Sequence, residues 1–198
     1  MTGTSLQLVA HGHTAALRRA HFGGADDGLD EGGLRAALAQ AQAGADRHGP
    51  LGVNATCLSS PASAARQTAD AFGLLPTIET ALADCDYGDW SGRSLAEIAD
   101  TQPQALHDWL SAPASAPHGG ESVTAVRDRV GSWLDEQHRA GGRVIAVTHL
   151  LVIRVAVVHA LGLPMATYRQ VDVEPLAVVR LTSQGARWQL RLGGSRAA

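Results

Sequence analysis

Two histidines stand where strongly apolar runs end: His11 after Ser5–Ala10, and His149 after Arg143–Thr148. A neutral imidazole held in one tautomer presents a lone pair as base or nucleophile, and a second ring can hydrogen-bond the reacting group. An acidic stretch between them, Asp84-Cys85-Asp86, can supply a proton donor. A single histidine at a strand end is more often a packing or capping residue. The pair and the acid together are what point to a site with a nucleophile or base, a second imidazole and an acid. No tight ligand spacing such as HExxH appears, so the sequence implies no metal and no cofactor.

These residues need a scaffold. Ser5–Ala10, Val53–Leu58, Leu75–Ile78 and Arg143–Thr148 read as strands, and Ala177–Thr182 and Trp188–Leu192 as edge strands. Glu31–Ala45 has helical periodicity. Ser60-Pro61 suits a capped helix start running to about Phe72, with serine as the cap. Glu121–His138 is amphipathic, with Val123, Val126, Val130, Trp133 and Leu134 facing inward. Short helices are expected at Leu95–Ala99 and Pro103–Leu110, and a helix follows at His149–Leu161. Asp84–Gly92 and the Pro- and Gly-rich Ser111–Gly120 read as loops. Alternating strands and helices predict a three-layer αβα sandwich with a mostly parallel central sheet, as one domain over residues 1–198. Ligands of such sheets bind beyond the carboxyl ends of the strands, where both histidines lie.

Bulk composition narrows the class. A net charge of -3 with scattered basic residues argues against a nucleic-acid or membrane surface. A small-molecule substrate is the expected partner, and a homodimer is compatible with the sequence. Two cysteines, Cys57 and Cys85, suggest reduced thiols. With no basic and apolar leader at the N-terminus, a cytoplasmic location is expected.

Five segments carry a resemblance. Leu6-Gln7-Leu8-Val9-Ala10-His11-Gly12-His13-Thr14 is similar to LVRHGxT. Ser59-Ser60-Pro61 through Ala69 is similar to SSPLxRAxQTA. Leu82 through Gly92 is similar to LxExxFGxWEG, Gly119-Gly120-Glu121-Ser122 to GGES, and Val144 through His149 to VxxVSHG. In this order and spacing, over about residues 5–163, they resemble the histidine phosphatases of the phosphoglycerate-mutase-like fold. The resemblance implies that His11 attacks phosphorus to form a phosphohistidine. It also implies that His149 hydrogen-bonds the phosphoryl group and that Asp84, one methylene shorter than the family's glutamate, protonates the leaving oxygen. His13, His21 and His118 fall on segments that the family places near the pocket.

The chain departs from that pattern where phosphate is held. The family's two arginines are Ala10 and Ala64 here, its asparagine is Leu17, and the glycine after the second histidine is Leu150. A charge-assisted hydrogen bond contributes roughly 1.5–3 kcal/mol, so losing two costs about 3–6 kcal/mol of transition-state stabilisation. Arg18 and Arg19 are near enough to reach the mouth, Arg66 should point elsewhere on its helix, and Arg154 is expected on the outer side. With Ala10, Leu17, Ala64 and Leu150 around it, and His118 and Arg18 as further substrate contacts, the pocket suits a small organic substrate. His/Asp acid-base or nucleophilic chemistry, with weak or absent phosphatase activity, is then expected. A phosphomonoesterase with a rebuilt anion site and a non-catalytic binding protein are the alternatives.

Overall fold

The computed structural model describes residues 3–48, 54–185 and 187–192. A six-stranded sheet has the order β3-β2-β4-β1-β5-β6. Its strands are β1 (Thr4–Ala10), β2 (Thr56–Ser59), β3 (Thr77–Ile78), β4 (Gly142–Thr148), β5 (Val178–Gln184) and β6 (Arg187–Arg191). The first four run parallel; β5 and β6 add an antiparallel margin beside β1. Val53 of the expected second strand lies outside the described residues, and the strand itself runs from Thr56 to Ser59.

Helices cover both faces. α6 (Val123–Ala140) and α7 (Leu150–Ala160) enclose one core with Leu6, Leu8 and Ala10 of β1. On the other face, Ala37 of α2 (Glu31–His48) and Ala65 and Ala69 of α3 (Ser63–Ala71) pack with Val9, Ile145 and Val147. β1 therefore alternates between two apolar layers, and β4 is buried from Val144 to Thr148. That is why both read as continuous apolar runs.

Four features went unread or were misread. A single-turn helix, α1 (Ala15–Arg18), follows the first histidine loop, capped by the Thr14 hydroxyl at 3.1 Å from the Leu17 N–H. Turns of 3₁₀ helix lie at Thr80–Leu82, Gly88–Trp90 and Met165–Gln170. β5 is an interior strand, since β6 takes the edge. α3 starts at Ser63 with Ala62 in the cap position, so Ser60 does not cap it. The remaining helices, α4 (Leu95–Thr101) and α5 (Pro103–Ser111), lie where expected.

Candidate active site

Strand register builds the site. Ala10 is level with Thr148, and Ser59 with Val147. Three adjacent parallel strands therefore deliver His11, His149 and Ser60 side by side just past their carboxyl ends. The His11 N–H binds Thr148 O at 2.9 Å, and the Ser60 N–H binds Val147 O at 2.9 Å. Gly12 lies close to Leu29 and to the Gly33 carbonyl, so a side chain there would crowd the first turn of α2.

The two imidazoles are almost fully buried, with ring centroids 5.0 Å apart at 70°. His11 Nδ1 lies 2.7 Å from Gly12 O. A carbonyl only accepts, so Nδ1 carries the proton and Nε2 keeps its lone pair. His149 Nε2 meets the Ser60 hydroxyl at 2.8 Å, while its Nδ1 stands 3.5 Å from Asp84 Oδ2. Burial lowers the His149 pKa to about 4, although Asp84 draws it back upward. At neutral pH the ring is uncharged, and its contact with Asp84 is not an ion pair.

Asp84 is held from both sides. Its side chain accepts the Cys85 N–H at 2.9 Å, and its carbonyl accepts from Arg129 Nη2 at 2.9 Å. Arg129 also binds Ala81 O and both carboxylate oxygens of Glu121. The Thr148 hydroxyl donates to Leu82 O at 2.6 Å, fixing the approach to Asp84 on the sheet.

Two cavities flank Asp84 and Tyr87. The first, of about 270 Å³, is lined by His11, His21, Leu17, Leu150 and Arg154 among others. The second, of about 250 Å³, is lined by Ser60, His149 and the Gly23–Ala25 loop; its only charged side chains are Asp84 and Asp86.

The expected contacts divide on this map. Leu17 and Leu150 line the His11 cavity. Ala10 is buried in the core with Leu6 and Leu8, and Ala64 is buried at the start of α3; neither lines either cavity. Arg18 pairs with Asp30 at the outer mouth beside His13. His118 lies buried outside both cavities, in a segment that is a loop as expected, so it is not the substrate contact expected of it. The ring packs edge-on to Trp90 at 5.1 Å and to Tyr87 at 6.0 Å, and its Nδ1 accepts the Gly120 N–H. Aromatic neighbours outweigh the polar composition of that segment.

Arg154 is the largest correction. It keeps the expected outward pairing, with exposed Asp172, but it also shares a cavity with His11. Positions 150, 151 and 154 fall on one helical face, so Leu150, already expected at the pocket, was the signal that could have found it. Its Nε is buried without a hydrogen-bond partner among the described residues, and its nearest carboxylate, exposed Asp172, is 3.9 Å away. Ser60 was read as a helix cap and Tyr87 as part of a loop, because their places at the site depend on contacts distant in sequence.

Comparison with known proteins agrees with this geometry. The histidine phosphatase superfamily (branch 1) matches residues 6–195. A bifunctional protein of Mycobacterium tuberculosis is 30% identical over 190 residues, 93% of this chain and 52% of its own. The chain thus spans about half the length of the first curated relatives it matches. A glucosyl-3-phosphoglycerate phosphatase of Mycolicibacterium vanbaalenii is 30% identical over 170 residues, covering 81% of this chain and 75% of its own. A solved mycobacterial glucosyl-3-phosphoglycerate phosphatase complexed with VO3 superposes with a TM-score of 0.81 at 28% identity, covering 95% of this chain and 97% of that one. With the family model matching nearly the whole sequence, the chain belongs to the histidine phosphatase superfamily, branch 1.

Proposed function

We propose that the protein hydrolyses phosphomonoesters through a phosphohistidine on His11, with Arg154 taking over the anion-holding role that positions 10 and 64 have lost. The observation that carries this reading is the tautomer of His11. Its Nδ1 proton is held on Gly12 O, so the Nε2 lone pair is free to attack in a cavity shared with an incompletely partnered guanidinium. Nε2 bonds to phosphorus as the P–O ester bond breaks, and the protonated Asp84 carboxyl gives its proton to the leaving alcohol oxygen. Water then cleaves the P–N bond, losing its proton to the Asp84 carboxylate. With its proton on Nε2, His149 donates to a phosphoryl oxygen. Arg154 and the His21 edge of the cavity offset the developing charge.

Weak or absent phosphatase activity was expected from the missing arginines alone. Arg154 answers that objection, and the phosphatases among the relatives support the answer. Which phosphomonoester is used belongs to the same reading: one small enough for a cavity of about 270 Å³. Rapid acid-free quenching during turnover of p-nitrophenyl phosphate should trap a phosphohistidine on His11. Arg154→Gln should lower kcat/KM about ten- to a hundredfold, the value of one charged hydrogen bond. A phosphate-ester panel giving neither turnover nor trapped histidine would defeat the proposal.

A further inference from the structure

The Ser60 hydroxyl is buried, yet it lines the second cavity together with His149 and Asp84. Its Oγ is 2.8 Å from His149 Nε2, and His149 Nδ1 is 3.5 Å from Asp84 Oδ2. The Ala62 N–H donates to the same Oγ at 3.3 Å. With the imidazole proton on Nδ1 toward Asp84, Nε2 accepts the hydroxyl hydrogen. This is nucleophile, base and orienting carboxylate in sequence, the arrangement that activates serine irrespective of fold. The carboxylate contact is long, as such contacts often are before a substrate closes the site.

The surroundings select a different electrophile from the one His11 meets. Among the described residues no arginine lines this cavity, and Asp86 adds a carboxylate that the His11 cavity lacks. Gly23, Gly24, Ala25, Pro61 and Ala62 leave an uncharged wall. Arg154 belongs to the other cavity. The cleft is therefore divided by charge, with the guanidinium on the His11 side and no cation to hold an anion on the Ser60 side.

We infer that Ser60, His149 and Asp84 form a second catalytic constellation that hydrolyses small neutral carboxylic esters through an acyl-serine. Ser60 Oγ bonds to the ester carbonyl carbon while its proton passes to His149 Nε2. The tetrahedral intermediate collapses, the C–O bond to the alcohol breaks, and the imidazolium returns the proton to the leaving alkoxide. Water, deprotonated by His149, then attacks the acyl carbon. The Ser60 oxygen leaves with that proton, releasing the carboxylic acid. Asp84 faces Nδ1 and holds the His149 proton there. The inference does not rest on phosphoryl transfer, for which His149 carries its proton on Nε2 instead.

The test is covalent labelling of the intact protein with an alkyl fluorophosphonate, followed by peptide mapping, together with p-nitrophenyl butyrate hydrolysis. One label on Ser60 is expected, with ester turnover falling roughly a thousandfold in Ser60→Ala. Circular dichroism confirms that the variant is folded, and labelling of the unmutated protein reads the serine without any substitution. A label on His11 alone, no label, or ester turnover that survives Ser60→Ala overturns the inference. Phosphohistidine trapping reads His11 independently, so failure of either activity is distinguishable from failure of the other.

Discussion

At the scale of single residues, His149 links chemistry to stability. Burial holds its folded pKa at about 4, against an ordinary value near 6.5. Between those values the unfolded chain binds a proton that the folded chain refuses. Stability is therefore full above pH 6.5 and falls as pH drops toward 4. The loss from this one group amounts to about 2 kcal/mol by pH 5 and about 3 kcal/mol by pH 4. Urea unfolding at a series of pH values should show this slope, and His149→Asn should flatten it over the same window. An identical slope in the variant would mean that other groups carry it. The chemical identities of His11, His149 and Asp84 were legible in the sequence because motif residues at strand ends reveal themselves locally. The Ser60–His149 hydrogen bond was not, since it joins positions 89 residues apart. Local reasoning assigned Ser60 to a helix cap, a role that the start of α3 at Ser63 does not leave open.

At the scale of elements, the loop carrying Asp84 owes its position to α6. Arg129 ties Ala81 O, Asp84 O and Glu121 together from one guanidinium, three-quarters buried. Nearby, the chain at 86–88 meets the chain at 118–120 so closely that a Cβ on Gly88 would collide with His118 O, and one on Gly120 with Asp86 O. Gly88 is also in the left-handed region at φ 46°. The two motif segments are thus one interlocked structure, with glycine required at the crossing. Arg129→Met should leave two carbonyls and the Glu121 carboxylate without their donor, costing about 3 kcal/mol. Its effect on turnover should appear in kcat more than in KM, because Asp84 is misplaced while the binding walls remain. Unfolding curves and steady-state kinetics on p-nitrophenyl phosphate check both; an unchanged kcat would remove Arg129 from the positioning of Asp84. The strands were legible wherever both faces are buried, as in β4. The 3₁₀ turns escaped because three-residue turns have no period to read. The inward face of Arg154 was available in principle from its helical phase with Leu150, but a charged residue on an apolar helix is ordinarily assigned to solvent.

At the scale of the whole molecule, a chain of net charge -3 has no long-range attraction for a dianion. Binding of phosphate must therefore come from the local field of the cleft, and it must couple to the stability of the fold that assembles it. His11, His149 and Arg154 are brought together only when β1, β4 and α7 are in register, so an anion that bridges them binds the folded state alone. At a hundred times its Kd, such a ligand adds about 2.7 kcal/mol to unfolding, which in a domain of this size raises Tm by about 5–10 °C. Titration with inorganic phosphate or vanadate, at constant ionic strength made up with chloride, should show that rise saturating. Arg154→Gln should suppress it, whereas removing a cation remote from the cleft, as in Arg35→Gln on the exposed face of α2, should not. Because Ala10 and Ala64 supply no donor, Arg154 on α7 should carry much of the anion's hold, beside the two imidazoles and His21. A Tm that ignores both anions, or one that rises equally in Arg154→Gln, would mean that the lost arginines were never replaced, leaving the Ser60 lobe, which needs no cation, as the part of the cleft still equipped for a reaction.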